Sequence, residues 1–455
     1  MATNSYVQVP PDSTGKKLHA LQHTVDATPV QVQAYHLVDH EDAGLGQKVD
    51  VRGQAYVRFA EGSPSMDAFG NLRIGEATAL GTYDYAHGDS ADLFQDLTVT
   101  GGSVTHNPAS ADTTLAVTSA NNASISRTTV RYHHYQPGVS NLIIQTLVHG
   151  DVGKVGNRRR WGYFDANDGL FWELDGTTLY CVIRSSVSGS VVDTRVAQSV
   201  WNVDQLDGIG DPNNISNMNL DITKANFYFI DYAWLGVGEV RFGVLGPGGE
   251  RNVCHVFQNP NANIRAYMRS GCMPLRWENT NSGSPVSGSE MRIICSAVYA
   301  QSKIEYTYWR FSDISNTTGV TLTDATPTPI LSMRVRPGQH VGVYPEAINA
   351  LVTGGDISLS IVDDGVLTGG TWVNAGSVAE KNIGATAITG GDEFYAHWVS
   401  AGTHHIELAE YYETNDEGYH RLPDDSDSYV FTLVATKLSG TSVNVKASLN
   451  YRELR

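Results

Sequence analysis

The sequence predicts an all-β protein, with two antiparallel β-sandwich (jelly-roll-like) domains behind an extended N-terminal arm. Three observations predict this. The 455 residues include 45 glycines and only 17% charged residues, and Thr, Ser, Val and Asn are abundant beside sparse Lys and Glu, a balance that favours strands and turns over helices. Apolar and polar residues alternate with period two, as half-buried strands require. Glycine-rich corners punctuate these runs, and from about residue 71 to 310 no stretch keeps a helical period. A hydrophobic fraction of 41% leaves enough apolar surface to exclude wholesale disorder.

The first segment, residues 1–70, is polar and broken by Pro10, Pro11, Pro29 and Pro64, with strand-like snatches such as VQVQAYHLV. It buries little by itself, so a partner subunit is expected to hold it. Residues 71–312 make the central domain. VIRSSVSGSVVDTRVAQSV predicts two strands around a Ser-Gly turn, and FYFIDYAWLGVGEVRFGVLGPGGERNVCHVF predicts three. FYFID is apolar on both faces, the pattern of a strand inside a sandwich. After the Thr- and Pro-rich NTTGVTLTDATPTP, residues 313–455 make the second domain. There Val443, Val445, Ala447, Leu449 and Tyr451 share one face, Asn444, Lys446, Ser448, Asn450 and Arg452 the other. YVFTLVATKL is the expected hairpin partner, with Ser439-Gly440 in the turn.

The string GGDEF at 390–394 is the signature of diguanylate cyclases, but its setting is wrong. About 60 residues follow it and the best-defined of them read as β-strands, not βα units. Gly390 and Gly391 predict a turn into one strand, in which Phe394, Ala396 and Trp398 alternate with Tyr395, His397 and Val399.

Other constellations have ordinary structural explanations. His397, His404, His405, Glu407 and Glu410 resemble a metal cluster, yet on a strand His405 and Glu407 share a face while His404 points away. DANDG at 165–169 resembles the start of a calcium loop but reads as an Asx-type hairpin turn. Asp204, Asp207 and Asp211, and Asp424, Asp425 and Asp427, read as solvated loop carboxylates able to meet calcium only opportunistically. Glu173 and Asp175 lie two apart on one strand, matching the about 5 to 9 Å of glycoside hydrolysis, with no cleft in evidence. No catalytic, metal-binding or cofactor-binding residue is therefore assigned, and no cofactor is expected. Tyr132, His133, His134 and Tyr135 are candidates for a sugar platform or a subunit interface.

A formal charge of −17 argues against nucleic acid as a partner. The one basic run, Arg158, Arg159 and Arg160, is expected in a solvated turn or beside acidic neighbours. Cys181, Cys254, Cys272 and Cys295 show neither zinc spacing nor a disulfide framework, and buried reduced thiols are expected. No apolar signal core or membrane-length stretch occurs, so cytoplasmic synthesis without signal-directed secretion, and no membrane partner, are expected.

Six segments in fixed order are similar to a family of tailed-bacteriophage virion structural proteins. They are RTTVRYHHYQPGVSNLIIQTLVHG at 127–150, GYFDANDGLFWELDGTTLYCVIRS at 162–185, VWNVDQLDG at 200–208, FYFIDYAWLGVGEVRFGV at 227–244, YMRSGCMPLRWE at 267–278, and the closing SLNYREL. The resemblance spans roughly residues 65–310, with the C-terminal domain looser. It implies a virion component without catalytic residues and does not fix its position on the particle, tail, fibre base or capsid surface; a tail-associated role (sheath-like, fibre-base or appendage) is the leading expectation. Its expected partners are copies of itself and other tail, adaptor or capsid subunits gripped by the arm. Tyr163, Phe164, Phe171, Trp172 and Trp234 would then be core-formers, with Gly162, Gly169, Gly236 and Gly238 setting turns. The alternatives are host-glycan binding or capsid decoration and, less favoured, polysaccharide cleavage.

Overall fold

A computed structural model describes residues 77–454 apart from 209–213, 284, 306 and 409–417, together with the backbone of three N-terminal strands. Those strands, Asn4–Gln8, Lys17–Val25 and Thr28–Gln33, pair as an antiparallel meander within a compact unit of their own, Met1–Ser63. The rest of the expected arm lies outside the described residues.

Pro64–Arg455 forms the second compact unit and holds both sandwiches. All strand pairings are antiparallel, and the described residues outside strands include two short 3-10 turns and no α-helix. The first sandwich faces a seven-stranded sheet against an eight-stranded one. Adjacent strands of the seven-stranded sheet run Thr178–Ser185, Gly169–Asp175, Asn157–Phe164 and Leu275–Asn281. The register places Cys181, Trp172, Trp161 and Trp277 directly opposite one another in one inward row. The strands Asn141–Val148, Asn226–Tyr232 and Val240–Leu245 of the facing sheet supply Ile143, Tyr228 and Phe242. Tyr228 lies 5.0 Å from Trp161 and 5.3 Å from Trp172, ring centre to ring centre. Each fully buried aromatic of this kind contributes about 2–3 kcal/mol of transfer free energy.

The three-strand reading of FYFID through CHVF and the two-strand reading around Gly189 match the observed Asn226–Tyr232, Val240–Leu245 and Arg251–Phe257, and Thr178–Ser185 and Val192–Ala197. Gly162 departs from its expected turn role. It lies inside a strand, where an added Cβ would press 2.5 Å from the Phe171 Cα, so the site needs close backbone approach. Gly236, at φ 79°, does occupy a turn.

The second sandwich packs a five-stranded sheet on a six-stranded one. Its first strand, Tyr308–Ile314, pairs along its length with Val443–Leu454. The division expected at 312/313 thus falls inside this strand. Val443, Val445, Ala447, Leu449 and Tyr451 all enter the core, as their alternation predicts. The expected hairpin does not form. Val430–Lys437 lies in the six-stranded sheet between Thr328–Val335 and Ile357–Asp363, whereas Val443–Leu454 pairs with Val343–Thr353 in the other. The Ser439-Gly440 turn, with Gly440 at φ 83°, carries the chain between layers.

Candidate binding face

The cyclase string is part of an edge strand. Gly390 and Gly391 take φ 66° and 78°, and Asp392–Val399 pairs with Ile357–Asp363 at the rim of the six-stranded sheet. Trp398 stands out from it, 82% exposed.

The basic run occupies the strand Asn157–Phe164, not a solvated turn, and its neighbours are acidic as the alternative reading expects. Alternation sends Arg159 inward, where Nη2 meets Asp151 at 2.7 Å and Nη1 donates to the His149 carbonyl at 3.0 Å. Arg160 points outward, 2.6 Å from Glu173, with Glu278 and Asp193 each at 3.4 Å. Arg195 closes on Glu173 at 2.5 Å and Asp175 at 2.7 Å. Phe171 and Phe164 lie beneath this lattice, with Arg160 and Arg184 over the Phe171 ring. These two rings therefore form a separate outer cluster, while Tyr163 and Trp172 join the main core. Burial alone would raise the Glu278 carboxyl, but Arg276, Arg160 and Arg184 hold it below the usual carboxylate range. Glu173 and Asp175 are both engaged by arginine, so neither stands as a free acid for glycoside cleavage.

The DANDG segment is an Asx turn. Asp165 Oδ1 accepts from the Asn167 and Asp168 amides at 2.7 and 2.8 Å. Asp168 is buried, which would raise its carboxyl, but donors from Ser186 and Arg269 hold it low. Asp204 caps its own loop through the Leu206 and Ser216 amides, Asp424 accepts from Ser426, and Asp425 accepts from Gly338. Asp211 and Glu410 lie outside the described residues. Among the described residues, no three His, Cys, Asp or Glu side chains gather to hold a metal ion. His133 and Tyr135 are buried and the half-buried Tyr132 stacks on His340, so the YHHY segment does not present a row of exposed rings. All four cysteines are free; Cys181 and Cys254 are buried, with thiols pushed up by burial, but Cys295 is exposed, contrary to expectation.

The histidine–glutamate group splits as its alternation predicts, and its outward His405 lines a trough that sequence reasoning missed. His397 belongs to the other sheet. His404 turns back to the Ser400 carbonyl, 2.8 Å away. On the outer face of the five-stranded sheet, Ile314, Ser448, Asn349 and His405 lie directly opposite one another across four strands. Asn349 Nδ2 donates to Ser448 Oγ at 3.3 Å. His405 Nδ1 is 2.7 Å from Asn349 Oδ1 and its Nε2 2.7 Å from Glu407 Oε1. The next row holds Lys446, Leu351 and Thr403. Together with the Ser315–Thr317 rim they border an open depression of about 550 Å³. Asn349 separates the Ser448 hydroxyl from the imidazole, so no base stands against that hydroxyl. The face offers donors, acceptors and two apolar side chains on rigid backbone, which suits binding. The period-two pattern of 443–452 marks its central strand; nothing local to the sequence marks the neighbours.

No protein-family profile matches this chain, and no curated protein is similar to it in sequence. Solved structures are similar to half of it. A protein of unknown function from Shewanella oneidensis MR-1 is 9% identical over 50% of this chain and 93% of its own, at TM-score 0.32. The legume lectin-like domain from Entamoeba histolytica is 10% identical over 50% and 99%, at TM-score 0.31. The CBM2 module of the evolved Dit of Lactobacillus casei BL23 phage J-1 is 9% identical over 50% and 99%, also at TM-score 0.31.

Proposed function

We propose that this chain is a non-catalytic carbohydrate-binding protein that meets a host-surface glycan with the outer face of its second sandwich. The trough across Ile314, Ser448, Asn349 and His405 carries this reading. Its volume lies in the range of small-ligand sites, and sheet-borne side chains hold their positions without an ordering cost at binding. Hydroxyl-rich ligands need alternating donors and acceptors, which the Ser448–Asn349–His405–Glu407 chain provides. Leu351 and Ile314, 40% and 51% exposed, supply apolar surface for a ring face.

A glycan array probed with the full-length chain tests the reading. Binding to at least one surface glycan, weakened roughly tenfold by Asn349→Ala through loss of about 1.4 kcal/mol, is expected. A flat array, or binding indifferent to Asn349→Ala, removes this reading.

A second reading, a structural component of a tailed-phage virion, draws on the six ordered segments. They fall largely on strands of a single sandwich, Asn141–Val148 through Leu275–Asn281, so the resemblance follows one folded body. On this reading the chain resides in the virion, its partners are further copies of itself and adjacent tail, adaptor or capsid subunits, and glycan contact occurs on the assembled particle, where symmetric repetition multiplies weak contacts. Electron microscopy and mass spectrometry of purified particles test it; absence of the chain from the virion ends it.

A further inference from the structure

We infer that the ligand of the trough is an acidic saccharide whose carboxylate sits on Lys446 while its hydroxyls engage the Asn349 row. This rests on the carbohydrate-binding reading and names the ligand class for the same face. The chain carries a formal charge of −17, and the second sandwich has spent many of its cations internally. Arg310 and Arg452 meet Glu346, Arg334 meets Glu380, and Lys381 meets Asp313. Lys446 is different: it is exposed, it lines the trough, and among the described residues it makes no ion pair.

Charge is arranged unevenly along the outer face that holds the trough. Glu407 stands beside Ala347, His405 and Ser448 flank Asn349, and Lys446 flanks Leu351. Two residues at ~3.4 Å each put the Lys446 row about 7 Å from the Asn349 row and twice that from the Glu407 row. His405 Nε2 lies 2.7 Å from Glu407 Oε1, so the acidic end already has a partner within the face, whereas the far end presents an unmatched ammonium. An acid group on a sugar bound against the Asn349 row falls within reach of that ammonium. A neutral sugar would leave it without a counter-charge.

The test uses an array that pairs each uronic-acid oligosaccharide with its methyl ester, which keeps the shape and removes the charge. The full-length chain is expected to bind the acids roughly three- to tenfold more tightly than the esters, the scale of a partly exposed ion pair, with the preference fading at high salt. Lys446→Gln is expected to abolish the preference and Lys446→Arg to keep it, both with unchanged melting temperature. Equal binding of acid and ester, or a preference that survives Lys446→Gln, overturns the inference while leaving the carbohydrate reading in place. No binding to either form overturns the inference, and a flat array of all surface glycans overturns the carbohydrate reading with it.

Discussion

Tyr132 of the first sandwich stacks on His340 of the second, ring centres 4.4 Å apart and planes 16° apart. The Tyr132 hydroxyl donates to Asp165 at 3.3 Å, which ties the stack to the Asx hairpin. Nearby, the Tyr429 hydroxyl donates to the Asp92 carbonyl at 3.1 Å, and the Asp424 amide donates to Gln95 at 3.2 Å. Side chains singled out as a sugar platform thus include one that joins the two sandwiches.

Tyr132→Ala is expected to loosen this junction. The stack contributes about 0.5–1.5 kcal/mol beyond area burial. Calorimetry should show one transition in the natural chain and two separated transitions in the variant. A single unshifted transition would show that the junction adds nothing to cooperativity.

Acid should destabilise the protein from pH 6.5 downwards. Burial lowers His133, His149 and His420 to about 3 from 6.5, with Arg131 acting on the first and third and Arg159 on the second. Each stays neutral in the fold, so below pH 6.5 the unfolded chain takes up protons that the folded chain refuses. Stability then declines by about 1.4 kcal/mol per pH unit for each such histidine until the folded value is reached. Urea midpoints measured between pH 7 and pH 4 check the slope; a flat profile contradicts it.

Arg160→Ala should cost about 1–3 kcal/mol, because it removes the 2.6 Å partner of the buried Glu173 and a charge-assisted hydrogen bond with it, while Arg195 still holds the carboxylate. Replacing Arg160 and Glu173 together by methionine should cost much less. Chemical denaturation of the two variants separates an ion pair that stabilises from one that merely avoids an unpaired charge.

Glu453→Gln should cost about 1–3 kcal/mol, since a charged acceptor is worth more than a neutral one. The fully buried carboxylate accepts from the Ser377, Val378 and Ala379 amides at 2.9 to 3.1 Å and from the Ser377 hydroxyl. Gly376, at φ 51°, brings that turn against it. Thermal melting checks the loss, and an unchanged melting temperature would show that the carboxylate adds no stability beyond its neutral amide.

The all-β class, most strand positions and the Asx turn were legible because each depends on neighbours within a few residues. Alternation names the buried face of 443–451, paired glycines name the turn before Asp392, and Asp165 caps amides two and three positions on. The same alternation separates His404 from His405 and Glu407.

What lies across the sheets depended on tertiary structure. YVFTLVATKL and the final strand read as a hairpin, yet they belong to opposite layers, because a short turn can as well cross a sandwich as reverse within a sheet. Arg159 and Arg160 are adjacent, but pleating sends them to Asp151 and Glu173 on opposite faces. The candidate trough joins Ile314, Asn349, His405 and Ser448, residues far apart in the chain that meet only through register. Local alternation decides which side chains face outward; long-range pairing between strands decides which of them become neighbours, and that neighbourhood forms the candidate site.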